Sequence, residues 1–209
     1  MNPNILVVMI VMTSACLDPP VPRHPLPELI SEQSPSSISE FDTLFYPGES
    51  MHWDVSWRGI PVGVAELRVS TKKENLQVES KFRSVGFAAR VHSIRHHLVT
   101  PPQPASGSID HIHSALGRLR SWVTRAERQG TMRVRYGSQK YSIEFARPVV
   151  DHSLGDATLR VKGRTYVHSS HSKSRIDLTL WISDDGRQRP VQILVSQGGS
   201  QLRATLRED

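Results

Sequence analysis

Cysteine is almost missing from this chain of 209 residues: Cys16 stands alone. One thiol closes no intrachain disulfide and supplies no cysteine cluster for zinc, which excludes a disulfide scaffold and a zinc-ribbon domain. Long apolar runs are missing as well, and no stretch reaches the roughly 18 residues of a spanning helix. Aromatics make up only 6%, and lysine is scarce beside arginine, 6 against 20. The chain carries no Walker or Gly-x-Gly-x-x-Gly loop, no His-Glu-x-x-His and no Gly-x-Ser-x-Gly elbow. We therefore expect no cofactor, no resident metal and no catalytic residues.

What is present begins with charge. The formal net charge is +6, carried mostly by arginine, whose planar fork suits carboxylate and phosphate. The arginines are scattered rather than clustered, and no helix-turn-helix, zinc-finger or RRM signature accompanies them, so no nucleic-acid partner is expected.

The N-terminal region reads as export machinery. Ile5 to Met12 is an eight-residue apolar run, too short to span a bilayer and suited to the core of a signal peptide. Thr13, Ser14 and Ala15 precede Cys16, an arrangement that resembles the lipobox of bacterial lipoproteins, although Thr13 stands where that family usually has Leu. The resemblance implies removal of residues 1–15 and lipidation of Cys16. Ordinary cleavage after Ala15 is the alternative, leaving a soluble periplasmic protein. Several acyl chains make a stable anchor, and Leu17 in place of Asp implies the outer membrane. Residues 16–40 carry Pro19, Pro20, Pro22, Pro25, Pro27 and Pro35 without a hydrophobic period. They are expected to form an extended tether, with a reach of roughly 70 Å at about 3.1 Å per residue.

Residues 41–209 are expected to form a single β-rich domain, with the membrane reached through the anchor. Met51, Trp53, Val55 and Trp57 alternate with His52, Asp54 and Ser56, the period of a half-buried strand. Gly59 to Gly63 supplies turn chemistry. Further strands are predicted over Val64–Val69, Leu76–Val85, Thr131–Tyr136, Tyr141–Phe145, Thr158–Val161 and Arg164–Val167. A hairpin follows, from Ile176 to Ser183 and from Val191 to Val195, turning at Asp184-Asp185-Gly186. A last strand is predicted around Leu202 to Leu206. Between Ser108 and Ala126 the apolar residues recur at spacings of three and four, which predicts one amphipathic helix with Ser108 as N-cap. The expected fold is mainly β: a strongly curved antiparallel sheet, or a barrel-like one, with that helix packed across it.

Tyr46-Pro47-Gly48-Glu49, Trp57 and Gly59-Ile60-Pro61-Val62-Gly63 resemble the opening of the DUF3108 domain-containing family of exported bacterial proteins. Leu180-Trp181-Ile182-Ser183-Asp184-Asp185, with Arg187 and Pro190, resembles its closing hairpin, and His113 to Trp122 is similar to a stretch of one subgroup. The resemblance implies export and a β-rich fold, and it brings no catalytic residues.

Candidate chemistry is thin. His92, His96 and His97, then His111 and His113, then His168 and His171 invite a metal reading, yet a site needs three or four converging ligands. Asp184 and Asp185 are explained by their turn. Trp53, Trp57 and Trp122 fall on predicted apolar faces and serve as the candidate wall of a ligand cavity. Trp181 falls on the opposite face of its strand. Arg118 and Arg120 are candidates for an anionic headgroup, against the plainer reading of a solvated helix face. The leading expectation is a non-enzymatic envelope lipoprotein holding an apolar ligand or lipid in a curved sheet. A structural module that binds an envelope protein partner is the second reading, and an uncharacterised hydrolase the third.

Overall fold

A computed structural model describes residues 36–38, 42–72, 75–91, 93–100, 110–126, 128–136, 139–167 and 175–207. A two-residue strand, β1 (Ser36–Ser37), comes first. Strand β2 (Ser50–Trp57) buries Met51, Trp53 and Val55 and sends Asp54 to the opposite side, as its alternation requires. It turns into β3 (Ile60–Lys72) through Arg58 and Gly59, both at positive φ (51° and 83°), which is the backbone a two-residue hairpin needs. Ile60 to Gly63, expected in a turn, lie inside β3 instead. Gly63 is required there because a Cβ would run into the Phe82 ring.

The meander continues through β4 (Asn75–Ser84), a short helix α1 (Gly86–Val91) and β5 (Arg95–Thr100). After β6 (Asp110–His111) comes the main helix, α2 (Ile112–Val123). The second half is β7 (Gly130–Tyr136), β8 (Gln139–Phe145), β9 (Val149–Asp151), β10 (Thr158–Val167), β11 (Arg175–Ser183), β12 (Pro190–Gln197) and β13 (Ser200–Leu206). The two short strands expected at 158–161 and 164–167 are one strand, β10. Gly163 at its middle leaves room for the ring of Phe145, directly opposite on β8.

The strongly curved or barrel-like sheet expected from the pattern is not what forms. The main path is an open row of eleven strands in the order β1-β7-β8-β10-β11-β12-β13-β2-β3-β4-β5, and its two end strands do not pair with each other. β6 adds to β7 and β9 to β10. Nor is the sheet wholly antiparallel, since β1 and β6 both pair with β7 in parallel. The result is a mixed α/β fold dominated by one broad sheet, with two helices rather than one among the described residues.

The helix also differs from expectation. It is shorter than 108–126, Ser108 lies outside the described residues, and His111 occupies the N-cap without a side-chain hydrogen bond. Every residue of α2 except Arg118 is buried, not a single stripe. The cause is a second cover: residues 42–49 run along the helix, with Leu44 N–H donating to Gly117 C=O at 3.1 Å. Phe45 and Thr43 fill the space beside Gly117. On the sheet side Ile112, Leu116, Leu119 and Trp122 join the core, and the Trp122 and Phe145 rings sit 6.1 Å apart. Each such fully buried large side chain contributes about 1.5–3 kcal/mol. Among the described residues no helix is long and apolar enough to cross a membrane.

Candidate functional site

Strand register builds a charged groove on the face of β2–β5 away from the core. Cross-strand partners place His52, Glu66, Lys81 and His97 in one row, and Asp54, Val64, Arg83 and Arg95 in the next. Residues opposite each other in adjacent strands share a face. The groove over these rows has a volume of about 560 Å³, and Arg207 closes one end.

The carboxylates around it are already engaged. Asp54 accepts from Arg207 Nε at 2.9 Å, and that guanidinium holds its carboxyl below the ordinary Asp range. Glu79 pairs with Lys81 at 2.9 Å and His97 at 2.5 Å, and the Lys81 bond, with His97 in support, lowers its pKa. Glu66 pairs with Arg68. Two cations are left over. Arg83 and Arg95 face each other directly across β4 and β5. Neither side chain has a hydrogen bond or ion pair among the described residues.

This pair escaped the sequence reading. The period-two spacing of Lys81 with Arg83, and of Arg95 with His97, was a usable signal. What the sequence withheld was the pairing of β4 with β5, because residues 86–100 carry no clear period.

The residues singled out from sequence are not brought together. Trp53 is buried and its indole N–H donates to Pro190 C=O at 2.8 Å. Trp122 is fully buried beneath α2. Trp57 instead lies at a hairpin tip beyond a register slip between Val55 and Ser56, 42% exposed, with the Arg58 guanidinium 5.6 Å from its ring centroid. Trp181 is half-buried and donates to Asp151 at 3.3 Å. Cys16 lies outside the described residues.

Arg120 is neither a headgroup ligand nor on a solvated face. It is wholly buried, its two terminal nitrogens reach the two oxygens of Glu49 at 2.9 and 2.7 Å, and it also donates to the carbonyls of Arg187 and Gln188. Phe45 lies 5.5 Å beneath the guanidinium. Arg118 is half-buried on the same helix.

The apolar-ligand reading is thereby overturned. The sheet is open, the two buried tryptophans are part of a close-packed core, and the groove over β2–β5 is lined by Glu66, Lys81, Arg83, Arg95 and Arg207 among its residues.

The histidines do not converge either. His96 and His97 are consecutive in a strand and point to opposite faces; burial, then the charge of His97, lowers the His96 pKa. His111 is exposed, while His113 is buried between Thr100 Oγ1 (2.5 Å from Nδ1) and Ser80 Oγ (3.0 Å from Nε2). Burial, with His111 and His96 nearby, pushes its pKa down to about 4. His92, His168 and His171 lie outside the described residues. Among the described residues no three His, Cys, Asp or Glu side chains are grouped to hold a metal.

Asp185 serves its loop: it accepts from Ser183 Oγ, Arg187 N and Gln188 N at 2.8–3.0 Å. Burial works against its ionisation, but these bonds and Arg189 hold its pKa down. The positive φ of that loop falls on Gln188, not on Gly186.

No protein-family model matches the chain, so the DUF3108 resemblance rests on its short motifs. No curated protein matches it either. Among solved structures, a Bacteroides fragilis protein described as exported and as having a YmcC-like fold is similar to it. The two align with a TM-score of 0.41 at 10% identity, over 79% of this chain and 97% of that one.

Proposed function

We propose that this protein is a non-catalytic cell-envelope protein that binds an anionic partner in the groove over β2–β5. The observation that carries the reading is Arg83 opposite Arg95, two cations in register with no carboxylate partner among the described residues. Like charges directly opposite in a sheet are destabilising. An anion between them removes that repulsion, and two guanidinium forks hold carboxylate or phosphate oxygens well.

The remaining parts of the reading come from the sequence. Cys16 carries lipid after removal of residues 1–15, the proline-rich segment keeps the domain clear of the bilayer, and Leu17 directs the protein to the outer membrane. The motifs that resemble the DUF3108 family support export. Loss of radiolabelled palmitate incorporation in Cys16→Ala tests the anchor; incorporation that persists overturns it.

The groove is tested by calorimetric titration of the full chain, in non-ionic detergent at low salt, with sodium tripolyphosphate. Saturable binding that weakens at least about tenfold in Arg83→Gln/Arg95→Gln, roughly 1.4 kcal/mol, supports the site. Equal affinity in both proteins removes it.

A further inference from the structure

We infer that the occupant of the groove is an extended acidic polypeptide segment that joins the sheet as an added strand along β5. The inference rests on the reading of the groove as an anion site and names its partner.

β5 ends the path of paired strands, with β4 on one side and no strand on the other among the described residues. Its hydrogen-bond phase is set by Ser84 N–H donating to Ile94 C=O at 3.0 Å. Hydrogen-bonded pairs alternate in an antiparallel ladder. His96, Leu98 and Thr100 therefore spend their backbone groups on β4, while Arg95, His97 and Val99 turn theirs outward. Those same three residues carry their side chains on the groove face, opposite Arg83, Lys81 and Glu79. Among the described residues, one strand thus offers outward backbone donors and acceptors with the Arg83–Arg95 pair beside them.

An open edge is a template for another chain. A strand laid beside β5 sits about 4.8 Å away and directs every second side chain onto the groove face. A carboxylate at the position beside Arg95 meets the cation that Glu79 leaves unmatched and extends the row that Arg83 begins. An apolar side chain at the third such position meets Val99, which is 41% exposed.

A second copy of β5 fits poorly, because Arg95–Thr100 holds no carboxylate and would leave Arg83 and Arg95 unmatched. An acidic strand supplies the missing charge. Free phosphate or polyphosphate satisfies the arginines but leaves the outward N–H and C=O groups of β5 unused.

The test is titration of the full chain, in non-ionic detergent, with a blocked peptide of four Glu-Val repeats. It is paired with two versions N-methylated at every second residue, one on each edge of the peptide, and with tripolyphosphate. The parent peptide is expected to bind, to lose at least about tenfold in affinity in Arg83→Gln/Arg95→Gln, and to lose at least about tenfold when one edge, but not the other, is methylated. Equal binding of all three peptides with the arginine dependence intact overturns strand addition and leaves the anion groove standing. So does binding of tripolyphosphate alone. Loss of arginine dependence for both peptide and tripolyphosphate removes the groove itself.

Discussion

Glu49 and Arg120 are 71 positions apart in the chain and meet as a two-pronged ion pair from which solvent is excluded, with side chains 3% and 0% exposed. Arg120 comes from the second half of α2 and Glu49 from the residues that enter β2. The guanidinium also ties down the loop before β12 through the carbonyls of Arg187 and Gln188. One side chain therefore joins the helix, its covering arm and the closing hairpin.

Glu49→Gln leaves a buried cation without its counter-charge and is expected to cost about 3–5 kcal/mol. Glu49→Leu with Arg120→Met removes both charges and recovers part of that loss. Recovery stays incomplete because the Arg187 and Gln188 carbonyls lose their donor, at about 0.5–1.5 kcal/mol for each of these part-buried hydrogen bonds. Urea unfolding of the single and double variants measures both, and full recovery would show that the carbonyl contacts contribute nothing.

Gly117 sets two effects against each other. Alanine is favoured over glycine inside a helix by about 1 kcal/mol. A Cβ at 117 would lie 2.7 Å from the Phe45 ring and 3.2 Å from Leu44 N, however. Overpacking of this kind costs about 1–3 kcal/mol. Gly117→Ala is therefore expected to lower the thermal midpoint; a raised midpoint would mean that the 42–49 arm yields freely.

His113 gives stability a pH dependence of definite sign. Its pKa is about 4 when folded, against 6.5 for an unperturbed histidine. Above pH 6.5 the ring is neutral in both states and its contribution is complete. As the pH falls from 6.5 towards 4, the unfolded chain gains a proton that the buried ring refuses, and stability drops. Comparison of the native protein with His113→Gln at pH 7.5 and pH 4.5 isolates this, because Asp54, Glu79, Asp151 and Asp185 titrate in both. The stability difference between the two proteins is expected to shrink by about 2–3 kcal/mol at the lower pH. A constant difference would show that the ring is not held neutral.

Arg83 and Arg95 predict a gain of stability on mutation. Arg83→Gln removes a like-charge cross-strand pair and is expected to stabilise the unliganded protein by a few tenths of a kcal/mol at low salt, less at high salt as screening weakens the repulsion. Denaturation midpoints at two salt concentrations check it. A loss of stability would mean that Arg83 has an attractive partner within the fold.

Much of the scaffold was legible in the residues. The alternation through Met51, Trp53 and Val55 located β2, and the alternation from Ile176 to Ile182 located β11, because the face a strand residue occupies is set by its own backbone. The three-and-four spacing from Ile112 to Val123 located α2 for the same reason. Trp57 departs from its pattern because it lies at a hairpin tip, past a register slip.

Local periodicity thus determined most of the long strands and the main helix, but not β5 or the short strands β1, β6 and β9. Only the tertiary structure decided that the sheet stays open, that Arg120 is enclosed rather than solvated, and that Arg83 faces Arg95. Each of these depends on which distant segment becomes a neighbour and in what register. Residues 42–49 cover a helix some 70 positions away, and β4 meets β5 across the unpatterned stretch that holds α1. Side-chain period is a property of one segment, whereas burial and charge pairing belong to two segments brought together by the whole fold.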